Sequence, residues 1–239
     1  MEVLLLALLT LFATFVGTIT GFGTSSIMLP VLSLFYPLPV ALLFVGIIHF
    51  FGDLWKVLLF KKKLNWRLIL LFGLPGLVTS YFGASLILEL PENLLKGILG
   101  ILLIIFVVIV IIKHKLVLPK KDKWLVAGGA VDGFLAGIVG IGGPLRAAFL
   151  SAYDLQKAVH ISTSGALGLM VDSIRLTTYV LSGVELYTFL LWGMIIYVPV
   201  SFIGAKLGQK TVKHIPQKDF HYVVGFFLLI VAVVLLSGL

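Results

Sequence analysis

The chain has 239 residues, of which 60% are hydrophobic and only 12% charged, with a formal net charge of +8 and no cysteine. A soluble domain carries about a quarter charged residues, so an ordinary soluble fold is excluded, and without cysteine so are disulfides and thiolate metal sites. The basic residues sit in a few loops beside apolar runs, the positive-inside pattern of a membrane protein and not the basic face of a nucleic-acid binder.

From the N-terminus, MEVLLLALLT has no basic leader and no small-residue cleavage site, so it reads as a mature membrane segment and not a signal peptide. Apolar segments follow over 3–16, 26–35, 38–60, 66–89, 93–112, 124–139, 144–152, 155–182, 187–205 and 219–237. Many approach the roughly 20 residues that a bilayer-crossing helix needs. Glycine-rich breaks divide the first pair (Gly17 to Ser26, with Gly21 and Gly23) and the pair 124–139 and 144–152 (Gly137 to Pro144, with Gly140, Gly142 and Gly143). The arm 26–35, about 15 Å of helix, reaches only part-way through a bilayer.

The chain is expected to be a duplicated, all-α integral membrane protein. Gly17 and Gly21 match Gly133 and Gly137 at an offset of 116, Ala41 matches Ala158 at 117, and Asp53 matches Asp172 at 119. Gly73 matches Gly193 at 120, Gly83-Ala84 matches Gly204-Ala205 at 121, and Pro91 and Gly100 match Pro216 and Gly225 at 125. The offset only grows, as small insertions after a duplication would make it. Loops at Lys61–Lys63 and Arg67, Lys113–Lys123 and Lys206–Lys218 are basic and read as cytoplasmic, whereas those near Pro37, Glu89–Glu92 and Glu185 read as external. Corresponding loops therefore carry opposite signals, so the two halves, 1–118 and 119–239, are expected to be inverted. Each would hold a broken, hairpin or re-entrant first segment and three longer transmembrane helices, with both chain termini outside. Broken helices at matching places in inverted halves point to a transporter's binding site.

These features resemble the sulfite exporter TauE/SafE family of membrane permeases. The resemblance rests on Gly137-Ile-Val-Gly-Ile-Gly-Gly-Pro-Leu, its weaker partner Gly17-Thr-Ile-Thr-Gly-Phe-Gly, Leu64-Asn-Trp-Arg, and the Gly83-Ala…Pro91 and Gly204-Ala…Pro216 pairs. It spans nearly the whole chain and departs from the usual pattern at Gly23-Thr-Ser-Ser, where more glycine is expected. It implies a permease that moves sulfite or an organosulfur anion.

A helix that begins inside the bilayer offers unpaired N–H groups and a positive dipole end, which suit an anion. Gly21, Gly23, Gly140, Gly142 and Gly143 either admit the anion to the backbone or only allow close helix packing. Thr24, Ser25 and Ser26 add hydroxyls to the first break, and Pro144 fits the first position of the helix after the second. His49, Asp53, Lys56, Asp132, Arg146, Asp172 and Arg175 are ionisable within apolar runs, where such groups face a cavity or a partner. Asp53 with Lys56 and Asp172 with Arg175 share i,i+3 spacing and matching places, so they are either fixed ion pairs or coupling groups, and Arg175 is also an anion contact by this reading. Arg146, at the first turn of a helix, needs a negative partner, either the anion or Asp132. His49 is a proton carrier or a hydrogen-bonded packing residue. Ser162, Thr163, Ser164 and Gly165 form a polar patch whose hydroxyls fit bonding to neighbouring backbone or helices, and His114, His160, His214 and His221 fall in loops or at segment ends.

A secondary transporter of the inner (cytoplasmic) membrane, multi-pass and working by alternating access, fits this pattern best. Its expected partners are a small anion, the lipid bilayer, and a coupling proton or sodium ion, with no cofactor, no metal and no nucleic acid. A passive anion channel has the same composition. An enzyme lacks H-E-x-x-H and G-x-S-x-G motifs here, leaving only an Asp132–Asp172 dyad to carry one.

Overall fold

A computed structural model of the chain describes residues 2–60, 64–87, 89–91, 93–95, 97–98, 101 and 120–216. Lys61–Lys63, Glu92, Lys113, Lys115, Lys218, His114 and His221 lie outside the described residues, as do most of segment 93–112 and all of 219–237.

Every regular element among the described residues is helical. In chain order these are α1 (Glu2–Thr20), α2 (Thr24–Leu32), α3 (Leu38–Phe60), α4 (Trp66–Ser85), α5 (Asp122–Val139), α6 (Gly143–Ser151), α7 (Lys157–Leu181) and α8 (Thr188–His214). Four of them, α1, α3, α4 and α8, are long and apolar enough to cross a membrane. α7 has 25 residues, with Lys157, Asp172 and Arg175 among them. Within α4 the turn Ile69–Gly73 widens to a π-helix just before Pro75. Proline lacks the N–H that a regular turn would use there, and a widened turn accommodates its ring. α8 continues nine residues past the expected end at 205, because Ala205, Gly208 and Val212 stay buried while lysines occupy the other face.

Glycines set the tightest packing. α4 lies against α5 so closely that a Cβ on Gly133 would fall on the carbonyl of Gly76, and one on Gly83 would fall on that of Phe134. α1 and α8 meet in the same way, with the Cβ position of Gly208 only 2.8 Å from the Phe15 carbonyl. Small residues let backbones approach where lipid supplies no hydrophobic drive between helices. α3 and α7 pack along each other between these pairs. The outer surface is apolar (Leu4, Leu8, Phe12, Trp192, Ile195), while the largest fully buried side chains include Arg175 and Lys56. That inversion is expected where the surrounding solvent is lipid.

Loop contacts sort the helix ends. Arg67 pairs with Asp122 at 2.5 Å, Lys120 with Asp154 at 3.5 Å, and Lys157 donates to the carbonyls of Val212 and Ile215, which gathers the basic loops at one end. Tyr36 packs its ring at a tilt against those of Tyr187 and Phe189, where α3 and α8 begin, at the opposite end.

Candidate functional site at two helix breaks

α1 and α2 are parted by Gly21-Phe22-Gly23, and α5 and α6 by Gly140-Ile141-Gly142. Gly21 (φ 86°), Gly23 (φ 115°) and Gly140 (φ 70°) take the left-handed backbone that glycine adopts without strain. The chain can therefore fold back, and Thr24 Oγ1 reaches across to the Ala13 carbonyl at 3.4 Å, tying the two arms of the first hairpin. Gly142 and Gly143 are needed for room instead. A Cβ on Gly142 would lie 2.8 Å from both the carbonyl and Oδ1 of Asp132, and one on Gly143 would lie 3.0 Å from the Phe22 Cβ. The two breaks thus meet inside the protein. Ser25 and Ser26 are buried in the first turn of α2, and Ser25 Oγ has no hydrogen-bond partner.

Beside the breaks lies one connected network of buried charges. Arg175 Nε binds Asp172 Oδ1 at 2.7 Å, and Asp172 Oδ2 lies 2.6 Å from His49 Nδ1. The same Nδ1 is 3.5 Å from Asp53 Oδ2, and Asp53 Oδ1 holds Lys56 Nζ at 2.6 Å. Arg146 Nη1 stands 4.0 Å from Asp53 Oδ2, while its Nη2 binds Asp132 Oδ2 at 2.9 Å. The arginine that needed a negative partner therefore has one in Asp132. Gly168 makes the Asp53 junction possible, since a Cβ there would overlap the Asp53 carboxylate and stand 2.8 Å from Arg146 Nη1. An uncompensated charge at this depth is expensive; here three carboxylates face three basic side chains.

The network touches both breaks. Lys56 Nζ and Ser164 Oγ donate to the Gly21 carbonyl at 3.4 and 2.7 Å, and Arg146 Nη1 donates to the Ser164 carbonyl at 3.4 Å. Arg175 Nη1 lies 3.5 Å from where a Cβ of Gly140 would stand. The sequence places these residues in separate i,i+3 pairs; the fold joins them through His49, 123 positions from Asp172. His160 was expected only at a segment end, and it does sit in the first turn of α7. It is nonetheless fully buried, its ring packed about 3.3 Å from the Cβ position of Gly21. Its spacing of four from Ser164, one helical turn, is the signal that puts both on the same face. Of the polar patch, Ser162 bonds back to the Ala158 carbonyl and Thr163 Oγ1 accepts from the Asn65 N–H. Asp132 and Asp172 share no hydrogen bond, each being held by its own arginine. A proton-sharing carboxylate dyad needs the two in contact.

His49 Nδ1 and one oxygen each of Asp53 and Asp172 lie within 4.8 Å of one another, a spacing that a metal ion can use. Both carboxylates are already matched by Lys56, Arg146 and Arg175, so the trio offers a metal no uncompensated negative charge.

Apolar membrane-length helices around a charged interior define a multi-pass membrane protein of transporter type. A family model for the sulfite exporter TauE/SafE matches residues 6–235, and the chain belongs to that family. It is also 29% identical, over 192 aligned residues, to a probable membrane transporter protein of Methanocaldococcus jannaschii, covering 71% of this chain and 70% of the relative. No solved structure matches.

Proposed function

We propose that the protein is a secondary transporter that moves a small oxyanion, sulfite or an organosulfur anion, across the cytoplasmic membrane by alternating access. The observation that carries this reading is the meeting of two helix N-termini, those of α2 and α6, in the interior, with the buried Ser25 hydroxyl unpartnered between elements whose dipoles favour an anion. Residues around Gly23–Ser26 and Gly140–Arg146 would form the site, with Arg175 reaching it past Gly140. Arg146 is committed to Asp132, so its part is to hold the second break in place.

The inverted-repeat arrangement, with halves 1–118 and 119–239, belongs to this proposal. It is supported by the reciprocal packing of α1 on α8 and of α5 on α4, with α3 on α7 between them. At an offset of 119, His49 corresponds to Gly168 and Asp53 to Asp172. His49 meets Asp172, and Gly168 meets Asp53, the reciprocal contacts that a twofold axis would make. The positive-inside rule puts the end with Arg67, Lys120 and Lys157 in the cytoplasm.

A thermal-stability screen of the detergent-solubilised protein tests the reading. Sulfite, thiosulfate, alkanesulfonates and small carboxylates are compared as sodium salts at equal ionic strength. A bound anion stabilises by mass action, by about 2.7 kcal/mol at a hundredfold excess over Kd. A saturable rise in Tm with a sulfur oxyanion is expected; a Tm that no anion moves would count against the site.

A further inference from the structure

The buried network contains one imidazole, the side-chain type that ordinarily gains or loses a proton near neutral pH. Asp53, Asp132 and Asp172 stand against Lys56, Arg146 and Arg175, and His49 lies between the two carboxylates that join the halves. Carboxylates accept hydrogen bonds and do not donate them, so His49 Nδ1, 2.6 Å from Asp172 Oδ2, carries a hydrogen. The second proton of an imidazolium must then enter or leave at Nε2. With one proton the imidazole leaves the network neutral; with two, the network carries +1. A monoanion arriving at the adjoining breaks leaves a net −1 in the first case and zero in the second. Burying a net charge at membrane depth is costly, so the proton and the anion favour one another, and that coupling is reciprocal.

Ionisable groups face His49 from several helices. On its own helix stand Asp53 and Lys56; α7 brings Asp172 and Arg175, with the Tyr179 phenol one turn further, bonded to the Gly137 carbonyl, and the buried His160 twelve residues before Asp172, against Gly21. α6 brings Arg146, with Asp132 of α5 behind it. α8 contributes the Tyr197 ring, against Phe44, more than a turn away on α3. α2 contains no ionisable residue, and α1 only Glu2 in its first turn. The His49 side chain is 8% exposed, against 1–3% for the other members of the network.

We propose that His49 is the coupling-proton site, taking up one proton at Nε2 with each monoanion and releasing both on the other side. This rests on the anion-transport reading above. It assigns a proton, not sodium, as the coupling ion, because the network holds no negative charge left for a metal cation to match.

The test uses proteoliposomes of wild type and His49→Gln, with labelled ethanesulfonate as probe because its single charge does not change between pH 5 and 8. Glutamine can still donate to Asp172 but cannot titrate. Wild type should exchange the probe, accumulate it along an imposed inward proton gradient, and acidify a dye-loaded lumen as the probe enters. With a permanently neutral side chain, His49→Gln should bind the probe as weakly as wild type does at high pH, and its exchange should no longer vary with pH. It should lose gradient-driven accumulation at least tenfold, along with lumenal acidification. Accumulation by His49→Gln equal to wild type overturns the assignment while leaving anion transport intact. No exchange of ethanesulfonate by wild type overturns the assignment itself, and counterflow of sulfite then decides whether the anion reading survives. A second measurement needs no variant: probe binding to the wild type in weakly buffered detergent solution should take up protons, with affinity falling towards tenfold per pH unit on the alkaline limb. Binding without proton uptake contradicts the proposal even if His49→Gln fails to fold.

Discussion

Ser25 and Gly142 distinguish an anion site from a packing joint better than the glycines do together. The space beside Gly142 is filled by Asp132, and that beside Gly143 by Phe22. Gly142→Val would therefore push a side chain into a backbone carbonyl and is expected to lower stability as well as transport. Ser25 is buried with its hydroxyl unpartnered. Ser25→Ala removes a donor without removing packing, so expression and Tm without ligand should hold. A hydrogen bond to a charged group is worth about 1.5–3 kcal/mol, so the apparent affinity for the anion should fall on the order of tenfold to a hundredfold. Titrating Tm against the best anion of the stability screen measures this. An unchanged affinity would leave Ser25 outside the site and the breaks as joints. At this scale the sequence was partly legible. Aspartate, lysine and arginine in apolar runs mark themselves, and so does Arg146 at a helix start. What links them does not, because the His49–Asp172 contact spans 123 positions and depends on how α3 crosses α7. The burial of His160 depends equally on where the first break comes to rest.

Among the elements, the two hairpins and the glycine-packed pairs α4–α5 and α1–α8 hold the interior in shape. The closest approach is Gly133 to the Gly76 carbonyl, where even a methyl group cannot fit without moving a backbone. Gly133→Ala is expected to destabilise by about 1–3 kcal/mol, the usual cost of overpacking, seen as a lower Tm and lower yield of folded protein. Gly97, which has nothing within 4 Å of its Cβ position among the described residues, is the control, and Gly97→Ala should have little effect. Equal Tm values for the two variants would refute the packing account. Helix positions follow the apolar runs closely: α3 occupies 38–60 as expected, and α6 and α7 differ by one or two residues at their ends. The misses have physical causes. The end of α8 was placed too early because lysines end an apolar run without ending a helix, and the π-turn of α4 leaves no periodic trace in so uniformly apolar a segment.

For the whole molecule, composition alone was enough to give a helical membrane protein, since 60% hydrophobic residues in a chain of 239 leave little else to build. The glycine-rich breaks carried the resemblance to the family to which the chain belongs. A carrier and a channel share every one of these features, because they differ in whether the two sides of the site are ever open together. The central claim, that the protein carries a small oxyanion by alternating access, is tested most directly by counterflow. Proteoliposomes loaded with unlabelled sulfite, at equal pH on both sides, are diluted into a trace of labelled sulfite. A carrier brings label in faster when the lumen is loaded, with a transient overshoot and a saturable rate. The account predicts that overshoot, together with its loss in Arg175→Gln, whose guanidinium stands beside Gly140. Entry of label that is linear in concentration and indifferent to the anion inside, or no entry above that of protein-free liposomes, would contradict it.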